Sequence, residues 1–208
     1  MEYSVVMALA DFIPVALFAA AGVILMRDLY HRMSKGAFAL FAAGVIDVTC
    51  AGALKALYKL LYAAGICDFS ALNAMFFPVQ SIGFLLAGIG ALAMIVHRQG
   101  REAAYAAVPP AFSGTFLFVA LMVAGIGMLD AVLCILAKRL RKPALIALFF
   151  FSFLCTLGMG YLSSRDFTRA SMNWIAEGVN ILAQGTFLLG VVLAHKSGLG
   201  RYSSPVSS

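Results

Sequence analysis

Apolar residues fall along the chain in six stretches, near 5–26, 36–62, 71–96, 111–137, 143–163 and 171–195. Each is long enough to cross a bilayer, which takes about 20 residues as a helix. Lipid offers the backbone no hydrogen-bond partner, so a span must satisfy its own polar groups, as a helix or in a closed barrel. The short alternating segments of a barrel are absent. The pattern predicts an all-α fold, a polytopic membrane bundle of six transmembrane helices.

The longest connection, 97–110, holds Arg98, Arg101, Glu102 and Pro109-Pro110. It separates a first three-helix half, 1–96, from a second, 111–196, and a polar tail follows over 197–208. The halves echo one another. Asp68-Phe69-Ser70 precedes the third span and Asp166-Phe167-Thr168 the sixth. Asn73 and Gln80 are seven apart, as are Asn173 and Asn180. His97-Arg98 and His195-Lys196 close the two spans. These matches lead us to expect an internal repeat of three plus three. With six spans the second half is then inverted. In transporters built this way the site lies at the repeat interface, near the midplane. Basic residues do not orient such a bundle, because they divide evenly between its two sides. A seventh crossing at 97–114 would bring both basic clusters to one side. The charges and prolines of that stretch argue against it.

Composition narrows the class. Residues AVILMFWYC make up 63% and charged residues 12%, against roughly 45–50% and about 25% in soluble domains. The mean hydropathy is +0.98. These values exclude a water-soluble globule, a disordered chain, a coiled coil and a nucleic-acid-binding domain. The net charge of +6 therefore reflects basic residues anchoring helix ends among lipid headgroups, not contact with nucleic acid. The lipid bilayer is the first partner, and a bacterial cytoplasmic membrane the expected location. Cys50, Cys67, Cys134 and Cys155 show neither disulfide nor zinc spacing. Met1-Glu2-Tyr3 lacks a basic n-region, so the first run reads as a retained span.

The sixth span carries the clearest chemistry. Asn173, Glu177, Asn180 and Gln184 are spaced four, three and four. At 100° per residue they fill an arc of about 60° on one face. A charge in hydrocarbon costs about 2.5–3.5 kcal/mol on insertion scales, so this stripe faces protein or water. It is either a binding wall or a hydrogen-bonded seam between helices. Glu177 favours the wall, since a second glutamine would serve a seam. The third span repeats the face more weakly with Asn73, Phe77, Gln80 and Phe84, and Pro78 loosens its first turns.

Asp47 stands in the uncharged run Gly36–Leu54. It needs a partner on another helix, a cation or a proton. Asp11 and Asp130 lie nearer span ends and are expected to reach the interface. Lys55, Tyr58, Lys59 and Tyr62 read as a snorkelling belt. Lys55 lies deepest and is placed to pair with Glu177 or Asp47. Phe149-Phe150-Phe151 reads as lipid-facing bulk. The glycines of Gly83–Gly90, Gly125–Gly127 and Gly158–Gly160 permit close helix approach.

These positions make Glu177, Asp47, Asn173, Asn180, Gln184, Asn73, Gln80 and Lys55 the candidate substrate- or ion-binding residues. No catalytic residue, metal ligand or cofactor is indicated. Gly-x-Ser-x-Gly, His-Glu-x-x-His and Walker loops are missing, which weakens an enzymatic reading. The function expected is a transporter or channel for a small solute, a cation or protons. Such a chain acts alone, as a homo-oligomer or with a partner subunit. In size it resembles the substrate-binding subunits of energised bacterial vitamin uptake systems, though no motif carries the likeness. That resemblance implies a binding subunit of a larger complex. An intramembrane lipid-modifying enzyme is the other alternative.

Overall fold

The computed structural model describes residues 4–96, 115–163 and 170–201. These residues are helical apart from short turns, with no strand among them. Two of the six spans are interrupted. The first comprises α1 (Val5–Ala10) and α2 (Phe12–Leu29), and the third α4 (Ser70–Ala74) and α5 (Phe76–Val96). Proline causes both breaks. It has no N–H for the carbonyl four residues back, and its ring collides with that carbonyl. Pro14 acts in this way on Ala10 and Pro78 on Ala74, the last residues of α1 and α4. The remaining spans are α3 (Lys35–Ala63), α6 (Thr115–Arg139), α7 (Pro143–Ser163) and α8 (Ala170–Lys196).

All six spans are long and apolar enough to cross a membrane, as the hydropathy pattern predicts. The fourth span is described from Thr115 onward. Its expected start at 111, the 97–110 connection and Asp166-Phe167-Thr168 lie outside the described residues.

Local chemistry sets several ends. The Ser34 hydroxyl accepts the Ala37 N–H at 3.2 Å and caps α3. At the other end the Ile66 N–H bonds the Leu61 carbonyl and the Gly65 N–H the Tyr62 carbonyl. With Gly65 at φ +67°, this is a Schellman cap. The same pair of bonds ends α6, from Lys142 to Ala137 and from Arg141 to Lys138. There the left-handed position falls on Arg141, at φ 56°.

The six long helices α2, α3, α5, α6, α7 and α8 form a closed ring, each packed on the next and α8 back on α2. Glycines bring the backbones together. A Cβ on Gly44 would strike the Gly83 carbonyl and the Ala87 backbone, and one on Gly125 the backbone of Phe84 and Leu85. Gly158 meets nothing within 4 Å, and among the described glycines those whose added Cβ would strike another helix's backbone lie on α3, α5 and α6. Phe149 is 1% exposed and packs on Gly190. Only Phe150 and Phe151 face outward, which corrects the reading of that run as uniformly lipid-facing.

Helix directions correct the inverted arrangement. α8 is parallel to α2, since Phe18 stacks on Phe187 and Asp28 meets His195. α7 is antiparallel to α8, with Ser152 at Ala183 and Phe149 at Gly190. α6 is antiparallel to α7, with Gly127 at Phe153 and Cys134 at Ile146. In the first half, α3 is antiparallel to α2 and to α5, through Gly22–Val45, Gly52–Val15 and Gly90–Phe41. The two halves therefore run in the same sense, and α5 and α6 are parallel neighbours. Val96 and Thr115 therefore stand at opposite faces of the bundle. The internal repeat itself is not confirmed, since the first and third spans are broken whereas α6 and α8 are continuous.

Candidate functional site

The ring encloses a cavity of about 290 Å³ in the half of the bundle nearer Val5. Helix breaks position its upper wall. Asp11 occupies the break in the first span, and Asn73, Phe76 and Phe77 flank the break in the third. The stripe of α8 provides the facing wall, with Asn173, Glu177, Asn180 and Gln184 all lining the cavity. Gln80 of α5 lines it as well. Thr49 and Thr156 add hydroxyls from α3 and α7, each donating back into its own helix, to Val45 and Ser152 carbonyls.

Charge gathers at the upper end. Lys59 forms an ion pair with Asp11, and their side chains are 12% and 8% exposed. Glu177 lies within hydrogen-bonding reach of the Asp11 carboxyl and within Coulombic reach of Lys59 and Lys55. One oxygen of each acid, Asp11 Oδ1 and Glu177 Oε1, is buried without a hydrogen-bond partner among the described residues. The Lys55 ammonium lies 3.8 Å from the centroid of the Phe76 ring, a cation–π contact. No carboxylate among the described residues approaches it within ion-pair distance.

Below these charges the walls become aromatic. Phe18 meets Phe84 edge-on at 5.6 Å and stacks on Phe187 at 6.1 Å. Phe187 meets Phe149 at 6.1 Å. Phe18 and Phe84 also line the cavity, and this cluster forms its floor. Leu25, Leu29, Leu133 and Val191, almost fully buried, fill the other half of the ring.

Seven of the eight candidate residues thus meet around one cavity. The exception is Asp47, which is not among its lining residues and whose Cβ lies beside Gly83 at the α3–α5 contact. Lys55 pairs with neither Glu177 nor Asp47 and rests on Phe76 instead. Two residues of the site escaped the sequence reading. Asp11 and Lys59, read as residues of the span ends, are instead largely buried inside the ring, where they pair with each other. The available signal was Lys59 one helical turn beyond Lys55, on the same face. Asp130 is likewise buried, at 6% exposure. Tyr58 is buried at 9% exposure, its hydroxyl 3.4 Å from Asp68 Oδ1.

No protein-family model, curated protein or solved structure matches the chain.

Proposed function

We propose that this chain is a transporter for a small polar solute that carries both a positive and a negative group. The observation behind this reading is the presence of Lys55 and Glu177 together at the charged end of one cavity. The lysine ammonium rests on the Phe76 ring with no carboxylate among the described residues at ion-pair distance, and the glutamate keeps a buried oxygen without a hydrogen-bond partner among them. A solute carboxylate would meet Lys55 and a solute amine Glu177. The amides of Asn73, Gln80, Asn173, Asn180 and Gln184 would take its remaining polar atoms. The cavity is close in volume to the smaller ligand pockets of proteins, about 300 Å³, which suits a solute of amino-acid size. A seam between helices would bring the α8 stripe against a partner helix, whereas here it lines open volume.

Orientation follows from charge. Arg27, Arg32, Lys35, Lys138, Arg139, Arg141, Lys142, Lys196 and Arg201 belong to the face opposite the cavity. By the positive-inside rule that face is cytoplasmic. The cavity then faces outward, closed from the cytoplasm by the Phe18–Phe84–Phe187 floor, as in the outward-facing state of an uptake carrier. A binding subunit that passes its solute to a partner would use the same cavity.

A thermal-shift screen of detergent-purified protein tests this reading, with amino acids, amines and carboxylates as probes. A ligand that binds only the folded state raises its melting temperature. The expected result is stabilisation by a zwitterionic solute in the wild type, lost in Glu177→Gln and in Lys55→Met. Stabilisation that persists in both variants would refute the assignment.

A further inference from the structure

A second cavity, of about 20 Å³, lies directly beneath the first. That is room for one water-sized particle. The two cavities share Phe18, Phe84, Thr156 and Gln184 as lining residues. Asp130 of α6 lines only the lower one. It is 6% exposed, and its Oδ1 is buried with no hydrogen-bond partner among the described residues. Buried polar atoms are nearly always paired, and each exception needs a physical explanation. Here no basic side chain supplies one. The Cys134 thiol, one turn along α6, lies within Coulombic reach of Asp130. Of the flanking helices, α5 has no titratable side chain, and α7 has only Cys155 and Tyr161.

The hydroxyls of this cavity have their protons committed elsewhere. Ser152 donates to the Ala183 carbonyl at 2.9 Å, and Thr156 to the Ser152 carbonyl at 3.0 Å. Each hydroxyl therefore offers lone pairs, not a proton, to its other neighbours. With Asp130 and Gln184, these hydroxyl residues are the polar members of the lining of a volume that fits one small particle. No group of three histidines, cysteines or carboxylates forms among the described residues, so there is one negative charge to balance and no multidentate metal set.

We propose that Asp130, Ser152, Thr156 and Gln184 bind a single small monovalent cation, a sodium ion or a hydronium ion, beneath the solute cavity. Gln184 lines both cavities, so solute above and cation below share one side chain. The use of the cation to drive uptake rests on the transport reading, but its binding does not.

The test uses no solute. Purified protein in choline chloride at pH 8 is titrated with sodium chloride, and melting is followed for wild type, Asp130→Asn and Glu177→Gln. A sodium site raises the melting temperature of wild type and Glu177→Gln with sodium concentration and leaves Asp130→Asn unmoved. A hydronium site shows no sodium effect. Instead, acidification from pH 8 to pH 5 in choline shifts the wild type relative to Asp130→Asn. Should Asp130→Asn not fold, Ser152→Ala retains the carboxylate and removes one oxygen. Its sodium midpoint, or its response to acid, should weaken about tenfold, the scale of one lost polar contact. A wild type indifferent to sodium, with a pH dependence parallel to that of Asp130→Asn, overturns the proposal. So does a cation response that Ser152→Ala leaves unchanged. If the cation binds and no solute does, the transport reading fails while this site stands.

Discussion

His195 Nδ1 lies 2.9 Å from Asp28 Oδ1, at the opposite end of the first span from the Asp11–Lys59 pair. With the Phe18–Phe187 stack, this contact holds α2 and α8 parallel, and the parallel course of α5 and α6 follows around the ring. Thiol labelling with a membrane-impermeant maleimide checks this topology. Cys67, in the turn after α3, and Arg141→Cys, in the turn after α6, are expected to react from opposite sides of the membrane. An inverted second half would expose both on the same side.

The ion pair of Asp11 and Lys59 is buried inside the ring. Removing one partner of a buried pair typically costs about 3–5 kcal/mol, while replacing both with apolar residues is often close to neutral. Lys59→Met and Asp11→Leu are each expected to lower unfolding stability by an amount on that order. The double variant should lie nearer the wild type. Denaturant unfolding in micelles measures all four corners of this cycle.

Close helix contact at α5–α6 depends on Gly125, whose added Cβ would strike backbone atoms of Phe84 and Leu85. Backbone cannot swing aside as a side chain does, so Gly125→Ala should destabilise by about 1–3 kcal/mol. Gly158→Ala, in open space, should be neutral or slightly stabilising. Melting temperatures of the two variants make the comparison.

Arg141 holds the left-handed position of the α6 cap at φ 56°. A side chain there costs roughly 1–2 kcal/mol that glycine avoids. Glycine also adds freedom to the unfolded chain, which offsets part of the gain. Arg141→Gly is expected to raise the melting temperature modestly, and a decrease would show that the arginine side chain makes a stabilising contact.

The architecture was largely legible in the chain, for reasons tied to particular residues. Hydropathy marks the spans because lipid tolerates little else. The α8 stripe was legible because helical spacing alone brings Asn173, Glu177, Asn180 and Gln184 onto one face. Asp11 was misread because depth along a span does not reveal which residue faces it from another helix. Its partner Lys59 is 48 residues away in sequence. Pro14 was visible, but not that the break it causes would fall on a buried acid. Asp47 looked functional because it is isolated along its helix, yet helical phase turns it away from the cavity and towards Gly83. The relative sense of the halves was illegible because it rests on which residues of different helices touch, such as Phe18 with Phe187 and Gly127 with Phe153, and hydropathy along the chain does not show this.

The most direct measurement asks whether the α8 stripe faces water. Asn180→Cys is made in a chain whose four native cysteines are alanine, and a charged, membrane-impermeant thiol reagent is applied from either side. A cavity open on the Cys67 side makes Asn180→Cys react from that side and not from the basic side, with Leu182→Cys, half-exposed on the outer surface of α8, unreactive in lipid. An Asn180→Cys that resists the reagent from both sides, in folded protein, would mean that the stripe is sealed between helices and would contradict a solute cavity.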